Sequence, residues 1–273
     1  MTTPSTASPA KTGIDYFAGF SFLFRYPNWG VNLLMGGLFT LIPIVGPLVL
    51  IGWYCEVFQR LVLRHPNPLP KLDFNDFVHL LGRGVVPFVV ALVITLPLVL
   101  LIMVFFFAIA FIVTFFFGNN PQAANQPGTV IMMVGGGILV FMAIMVPMVV
   151  ITNAALTRAY MTENFGQAFD IKRVLAYAKR TWKYVLLAYL VYLPVSILGA
   201  LVGMMALYFG IFFVSFILNL AWIYMAWQIY EVYLSEGGEP IPIRSPRQVL
   251  PSEQPRPPLP SQAPKAPPPP LPK

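Results

Sequence analysis

The chain has 273 residues, of which 58% are hydrophobic and only 10% are charged, and its formal net charge is +7. An average soluble domain carries about 25% charged residues, which cover its surface. These proportions argue against a soluble enzyme, a disordered protein and a nucleic-acid-binding domain, so no nucleic-acid partner is expected. They predict an all-α integral membrane protein, a bundle of several membrane-spanning helices.

The N-terminal apolar stretch contains a candidate helix break. Residues 27–55 carry no Asp, Glu, Lys, Arg or His, but Pro43, Gly46 and Pro47 interrupt the middle of the stretch. Proline removes a backbone donor and glycine relaxes the backbone, so a helix kinks or ends there. A single kinked span is the first expectation, and a broken or re-entrant hairpin is the alternative.

The two later uncharged stretches, 84–157 and 184–230, are each long enough for two spans, because a helix crosses the hydrocarbon core with about 20 residues. Polar turn residues divide the first stretch, and the glycines of the second predict a tight reversal near 206–210. With the N-terminal helix the chain has about five transmembrane helices. The four later spans are predicted near 85–117, 130–157, 184–206 and 210–234.

Basic residues are concentrated in the loops 59–83 and 158–183 and after residue 243. Basic loops remain on the cytoplasmic side of a membrane. The sequence therefore predicts a multi-pass protein of a cytoplasmic (inner) membrane, with a cytoplasmic C-terminus. The N-terminus lies outside if residues 29–58 cross once, and inside if they form a hairpin.

Amphipathic segments flank these spans. Segments 72–83 and 168–183 show apolar residues at helical spacing and are predicted to lie at the cytoplasmic surface. Asp15–Tyr26 is a third candidate. The basic residues of the second segment either contact anionic lipid headgroups or only anchor the topology. They are Lys172, Arg173, Lys179, Arg180 and Lys183.

A shift of 97 residues aligns two parts of the chain. Arg83 falls on Arg180, and Leu96-Pro97 falls on Leu193-Pro194. The alignment predicts a duplicated unit of span, amphipathic segment and span. Chance alignment of two apolar sequences is the alternative.

The composition divides the chain into a disordered N-terminus at 1–13, a transmembrane domain at 14–240 and a disordered proline-rich tail at 241–273. Such a proline density excludes a regular helix and favours polyproline II or disorder. Within the tail, Arg256-Pro257-Pro258-Leu259-Pro260 is similar to a basic PxxP ligand. It either docks a protein partner through Arg256, Pro257, Pro258 and Pro260 or belongs to a free end without a partner.

No catalytic pattern is visible. Ionisable residues inside spans mark most intramembrane sites, and the predicted spans contain none deep in the membrane. Cys55 and the two histidines form no metal-ligand spacing, and no nucleophile–base set is present. The sequence predicts a protein that is not an enzyme and has no catalytic residues, bound metal or cofactor. We expect a scaffold or accessory subunit that organises membrane lipids or partners; the alternative is a transporter or channel component for an apolar or lipid-like solute.

An ordered series of motifs over 25–84 resembles a prokaryotic membrane family catalogued as domain of unknown function 4013. The resemblance supports a membrane location in a bacterium or archaeon and implies no activity or catalytic residue. Gly52-Trp53 departs mildly from the Gly-Tyr expected in that family. The matching segments are Arg25–Trp29, Leu33–Gly37, Leu41–Pro47, Gly52-Trp53, Arg60 and Pro68–Asp73.

Overall fold

A computed structural model describes residues 13–119, 127–206 and 209–244. These residues form eight α-helices and two short 3₁₀ turns, Leu23–Arg25 and Phe74–Asp76, and they include no strand. The predicted all-α class is therefore confirmed. The helices are α1 (Ala18–Phe22), α2 (Trp29–Leu41), α3 (Val45–Val62), α4 (Phe77–Asn119), α5 (Pro127–Thr162), α6 (Phe165–Ala168), α7 (Ile171–Met205) and α8 (Gly210–Ser235).

Five helices are long and apolar enough to cross a membrane: α3, α4 with the turn before it, α5 from Ile131, α7 and α8. The four later spans overlap the four predicted ones, and the chain reverses between α7 and α8 where the glycines predicted a turn. This helical composition identifies a membrane protein. In contrast, α2 has 13 residues and is about 20 Å long, which is short for a full crossing.

The N-terminal apolar stretch does not form one kinked span. The helix ends at Leu41 and a new one begins at Val45. Between them Ile44 adopts φ 64°, and the Val45 amide donates to the Pro43 carbonyl at 2.7 Å. This three-residue turn is a γ-turn, which reverses the chain in very little space.

Contacts beyond the two helices show that α2 and α3 run in opposite directions. Asn32, in the first turn of α2, donates to the Pro70 carbonyl at 3.2 Å and accepts from the Leu72 amide at 2.7 Å. Arg60, near the end of α3, donates to the Asn67 carbonyl at 3.2 Å. In a continuous helix Asn32 and Arg60 would lie roughly 42 Å apart. The predicted single span is wrong, and the hairpin alternative is the one that forms.

The predicted interfacial helices are not separate elements. Segment 72–83 leads directly into α4, and 168–183 contains the first turns of α7. Asp73 and Asp170 begin these two helical segments, since their carboxylates accept from the amides of Asn75 and Arg173. The N-terminal segment forms α1 and a 3₁₀ turn, which pack against α8.

The two capping aspartates stand 97 positions apart, which is the shift that aligns the sequence with itself. Each follows a helix that ends near a residue of positive φ, Arg64 (51°) in the first copy and Glu163 (46°) in the second. The pair α3–α4 and the pair α5–α7 thus share a positive-φ residue after the first helix and an aspartate cap 97 positions apart, although only the second connection contains a helix, α6. This correspondence supports an internal duplication.

Glycines set the closest approach between α3 and α4. A Cβ atom added at Gly52 would overlap the Leu80 carbonyl oxygen, and one added at Gly84 would overlap the Leu48 carbonyl oxygen. The two backbones therefore touch at this crossing, as small residues allow in membrane helix pairs. Glu56 lies four residues after Gly52, and Arg83 lies one residue before Gly84. The crossing therefore brings these two side chains together.

We predict that Gly84→Ala destabilises the protein by about 1–3 kcal/mol, because the added methyl group forces the two backbones apart. Thermal unfolding of the purified protein in neutral detergent measures the change. Gly82→Ala is the matched control, since a Cβ at Gly82 meets nothing within 4 Å. Equal unfolding midpoints for the two variants would contradict the proposed crossing.

Candidate functional site

The polar connections between helices gather at one end of the bundle, called the charged end here. It comprises the connections 63–73 and 163–170 together with the segment after α8. At this end Gln59 of α3 donates to the Tyr160 carbonyl of α5 at 2.9 Å, and Arg64 pairs with Glu231 at 3.0 Å. Glu56, Arg158 and Glu231 are also at this end.

A buried carboxylate, Glu56, lies at the centre of the charged end. Its side chain is fully buried between two arginines. Arg60, one turn along α3, donates from Nε at 2.5 Å, and Arg83 on α4 donates from Nη1 to the other oxygen. Because burial removes the hydration of all three charges, each depends on its partners.

Glu163 extends this cluster to the second half of the chain. One carboxylate oxygen accepts from Arg83 Nε at 2.8 Å and from Gln59 Nε2 at 3.0 Å. The other accepts from Arg244, beyond α8. Glu163 takes a positive φ of 46°, a conformation that costs a non-glycine residue about 1 kcal/mol or more. The carboxylate thus connects α3, α4 and the segment after α8.

The ionic core, as we call this cluster here, joins α3, α4 and the connection after α5. It consists of Glu56, Gln59, Arg60, Arg83 and Glu163. Sequence reasoning did not single out Glu163. The i, i+4 spacing of Glu56 and Arg60 in an apolar helix was the local signal available. The partners Arg83 and Glu163 are 80 positions apart, and no periodicity connects them.

The predicted lipid-contacting residues form an exposed basic patch on the first four turns of α7. Val174, Tyr177 and Ala178 pack into the bundle, so the basic side chains lie on the outer face. Three apolar residues of the same turns, Ile171, Leu175 and Trp182, are also exposed. The members of the basic patch are Lys172, Arg173, Lys179, Arg180 and Lys183.

The segment 236–244, called the strap here, crosses the charged end. The Ile241 amide donates to Tyr230 Oη at 3.1 Å, and the Ile241 side chain is buried. The Arg244 amide donates to the Met161 carbonyl at 3.0 Å. Residues 241–244, assigned by sequence to the tail, thus contact the bundle. The PxxP motif at 256–260 lies outside the described residues.

Some polar side chains in the apolar helices form hydrogen bonds within the chain, and others have no partner among the described residues. The Gln228 side chain forms two hydrogen bonds with the Asp15 backbone. It accepts from the amide at 2.8 Å and donates to the carbonyl at 2.9 Å. Asn219 donates within its own helix to the Ser215 carbonyl at 2.8 Å. Oγ1 of Thr152 and Oδ1 of Asn153 are buried without a partner among the described residues.

A cavity of about 320 Å³ lies between the outer parts of α4 and α5, far along the chain from the ionic core. Its lining is apolar and includes Ile109, Ile112, Met133 and Gly137. Within the described ranges, His, Cys, Asp and Glu form no group of three that could hold a metal ion.

The family described as Protein of unknown function (DUF4013) matches residues 35–209, well over half of the chain. The chain belongs to this family. The match thus includes the α2–α3 hairpin from Met35 onward, the ionic core and the basic patch. The start of α2, α8, the strap and the tail lie beyond it. No curated protein and no solved structure matches the chain.

We predict that Glu56→Gln lowers the free energy of unfolding by about 3–5 kcal/mol, because it leaves Arg60 and Arg83 with one buried carboxylate fewer. Thermal unfolding in neutral detergent measures the loss. The control Glu231→Gln removes a carboxylate from the more exposed pair with Arg64, which contributes about 1 kcal/mol or less. Similar losses for both variants would show that burial does not decide the contribution.

Proposed function

We propose that this DUF4013 protein is a non-enzymatic membrane scaffold or accessory subunit that recruits anionic lipid and presents its proline-rich tail to a partner. In this proposal it resides in a prokaryotic cytoplasmic membrane. The basic residues of its loops support a cytoplasmic location for the charged end. Because α2 and α3 form a hairpin, the start of α2 lies on the same side.

The observation that carries the proposal is the composition of the basic patch. All five basic side chains are exposed, and Lys172 and Lys179 have no ion pair in the part of the chain that the structure describes. Trp182, Leu175 and Ile171 project from the same turns. Tryptophan and basic residues together are typical of the membrane–water interface, where each cation near an anionic surface contributes about 1 kcal/mol.

The ionic core supports a structural role over a catalytic one. Its arginines and glutamates bond to one another, and Glu163 has both oxygens occupied. Catalysis needs groups that face a substrate in the right protonation state. In the ionic core the charges instead fix the relative positions of α3, α4 and the strap.

We predict that the wild-type protein prefers phosphatidylglycerol to phosphatidylcholine and that Lys172→Gln/Lys179→Gln reduces this preference by about 5- to 30-fold, from about 1 kcal/mol for each cation. The ratio of dissociation constants for fluorescent short-chain analogues of the two lipids, in neutral detergent, measures the preference.

The matched control is Arg64→Gln/Lys71→Gln, which removes two exposed cations that already pair with Glu231 and Asp73. It preserves the preference if the basic patch is responsible. If the preference decreases equally in both double variants, it depends on net charge, and the proposed role of the basic patch is refuted.

The tail is tested separately. Alanine at Arg256, Pro257, Pro258 and Pro260 should abolish capture of a protein partner from cross-linked native membranes, because a PxxP ligand needs its prolines and its basic residue. Alanine at Pro267–Pro270 is the control, since that run has no arginine. Identical partner sets for full-length protein, both variants and a chain lacking 246–273 would eliminate the docking role.

A second candidate function is a transporter or channel component for an apolar or lipid-like solute, and the cavity between α4 and α5 favours it. The cavity volume lies at the lower end of the range for small-molecule sites. The cavity is distant in sequence from the Pro43–Pro47 break. Movement of a fluorescent lipid across reconstituted bilayers no faster than across protein-free bilayers would count against this function.

A further inference from the structure

The strap contacts the basic patch directly. Glu239 Oε1 lies 3.3 Å from Arg173 Nη2. Three residues earlier, the Glu236 carbonyl accepts from Arg180 Nη1 at 2.9 Å. Two of the five cations predicted to contact lipid are therefore already engaged by residues of the same chain.

The two halves of the strap are held differently. In the half 236–239, the Glu239–Arg173 pair is exposed, with relative side-chain areas of 65% and 46%. In the half 241–244, Ile241 is buried and Arg244 pairs with the buried carboxylate of Glu163. The Glu239–Arg173 pair can consequently separate at far lower cost than the buried contacts of the second half.

A glycine cap ends α8 at the start of the strap. Gly237 adopts φ 77°, and the amides of Gly237 and Gly238 donate to the carbonyls of Leu234 and Tyr233. Glu239 lies just beyond this cap, and its amide donates to Tyr233 Oη at 3.1 Å. This bond and the Arg173 contact can therefore break while the cap, Ile241 and Arg244 stay in place.

We propose that residues 236–239 are an intrachain competitor for anionic lipid, with the Glu239 carboxylate occupying the position of a lipid phosphate beside Arg173. This inference rests on the proposed lipid-binding function and adds its regulation. Lipid phosphate and Glu239 exclude each other at Arg173. By thermodynamic reciprocity, anionic lipid weakens the hold of the bundle on 236–239 by the same factor by which the strap weakens lipid binding.

The other charges around Arg173 set the size of the effect. Asp170 lies 3.5 Å from Arg173 Nε and remains in place when Glu239 leaves, because it caps α7. Arg173 therefore keeps one carboxylate neighbour, and only the departure of Glu239 increases its affinity for lipid phosphate. An exposed ion pair changes an equilibrium constant by up to about fivefold, so the competition tunes affinity and does not switch it fully.

The test compares Glu239→Gln with Glu231→Gln in the full chain. Both remove one negative charge at the charged end, but Glu231 pairs with Arg64 and lies outside the patch. Titration with the fluorescent short-chain phosphatidylglycerol in neutral detergent should show binding about two- to fivefold tighter for Glu239→Gln and little change for Glu231→Gln. Equal tightening in both variants would reflect net charge and would overturn the proposal.

A double variant tests the named partner. Glu239→Gln should give no tightening in an Arg173→Gln background, because the cation it uncovers is then missing. A gain that persists in that background would also overturn the proposal.

Hydrogen exchange supplies a readout of the strap itself. In phosphatidylglycerol nanodiscs the Glu239 amide should exchange faster than in phosphatidylcholine nanodiscs, whereas the buried Ile241 amide should not change. Unchanged exchange at Glu239 would contradict the competition. If wild-type protein shows no preference for phosphatidylglycerol, the proposed function itself fails; if the preference exists and the two glutamate variants behave alike, only the competition fails.

Discussion

The backbone contact between α3 and α4 at Gly52 and Gly84 is the constraint on which the charged end depends. Side chains at these positions would hold the helices apart, and Glu56 and Arg83 would no longer meet. Because both charges are buried, their separation would leave each without compensation. Close packing at two glycines and pairing of two charges are therefore parts of one arrangement.

Glu163 transmits that arrangement to the rest of the molecule. It shares Arg83 with Glu56 and also pairs with Arg244, so the first hairpin, the end of α5 and the strap meet at a few side chains. The basic patch lies beside the strap on the outer face of α7. A packed interior at this end thus fixes the residues through which the protein would meet lipid and partners.

The sequence predicted the four later spans and the turn between α7 and α8, since hydropathy and turn chemistry are local properties. It did not predict that α4 and α7 extend without interruption from amphipathic first turns into the membrane. The amphipathic first turns do not turn a single apolar face to the bundle. Leu80 and Tyr177 are fully buried there, whereas Val78, Ile171 and Trp182 remain exposed. An amphipathic pattern has the same form whether its apolar face meets lipid or protein.

The sequence by itself determined that the chain is an all-α membrane protein, where its main helices lie and where its charges are absent, because each property follows from neighbouring residues. Only the tertiary structure decided that the Pro43–Pro47 break is a reversal and that Glu56, Arg83, Glu163 and Arg244 form one cluster. These outcomes depend on how helices cross and on contacts between residues up to 81 positions apart. A sequence pattern carries no information about such contacts. They determine the structure because a charge buried away from water is costly unless it is paired.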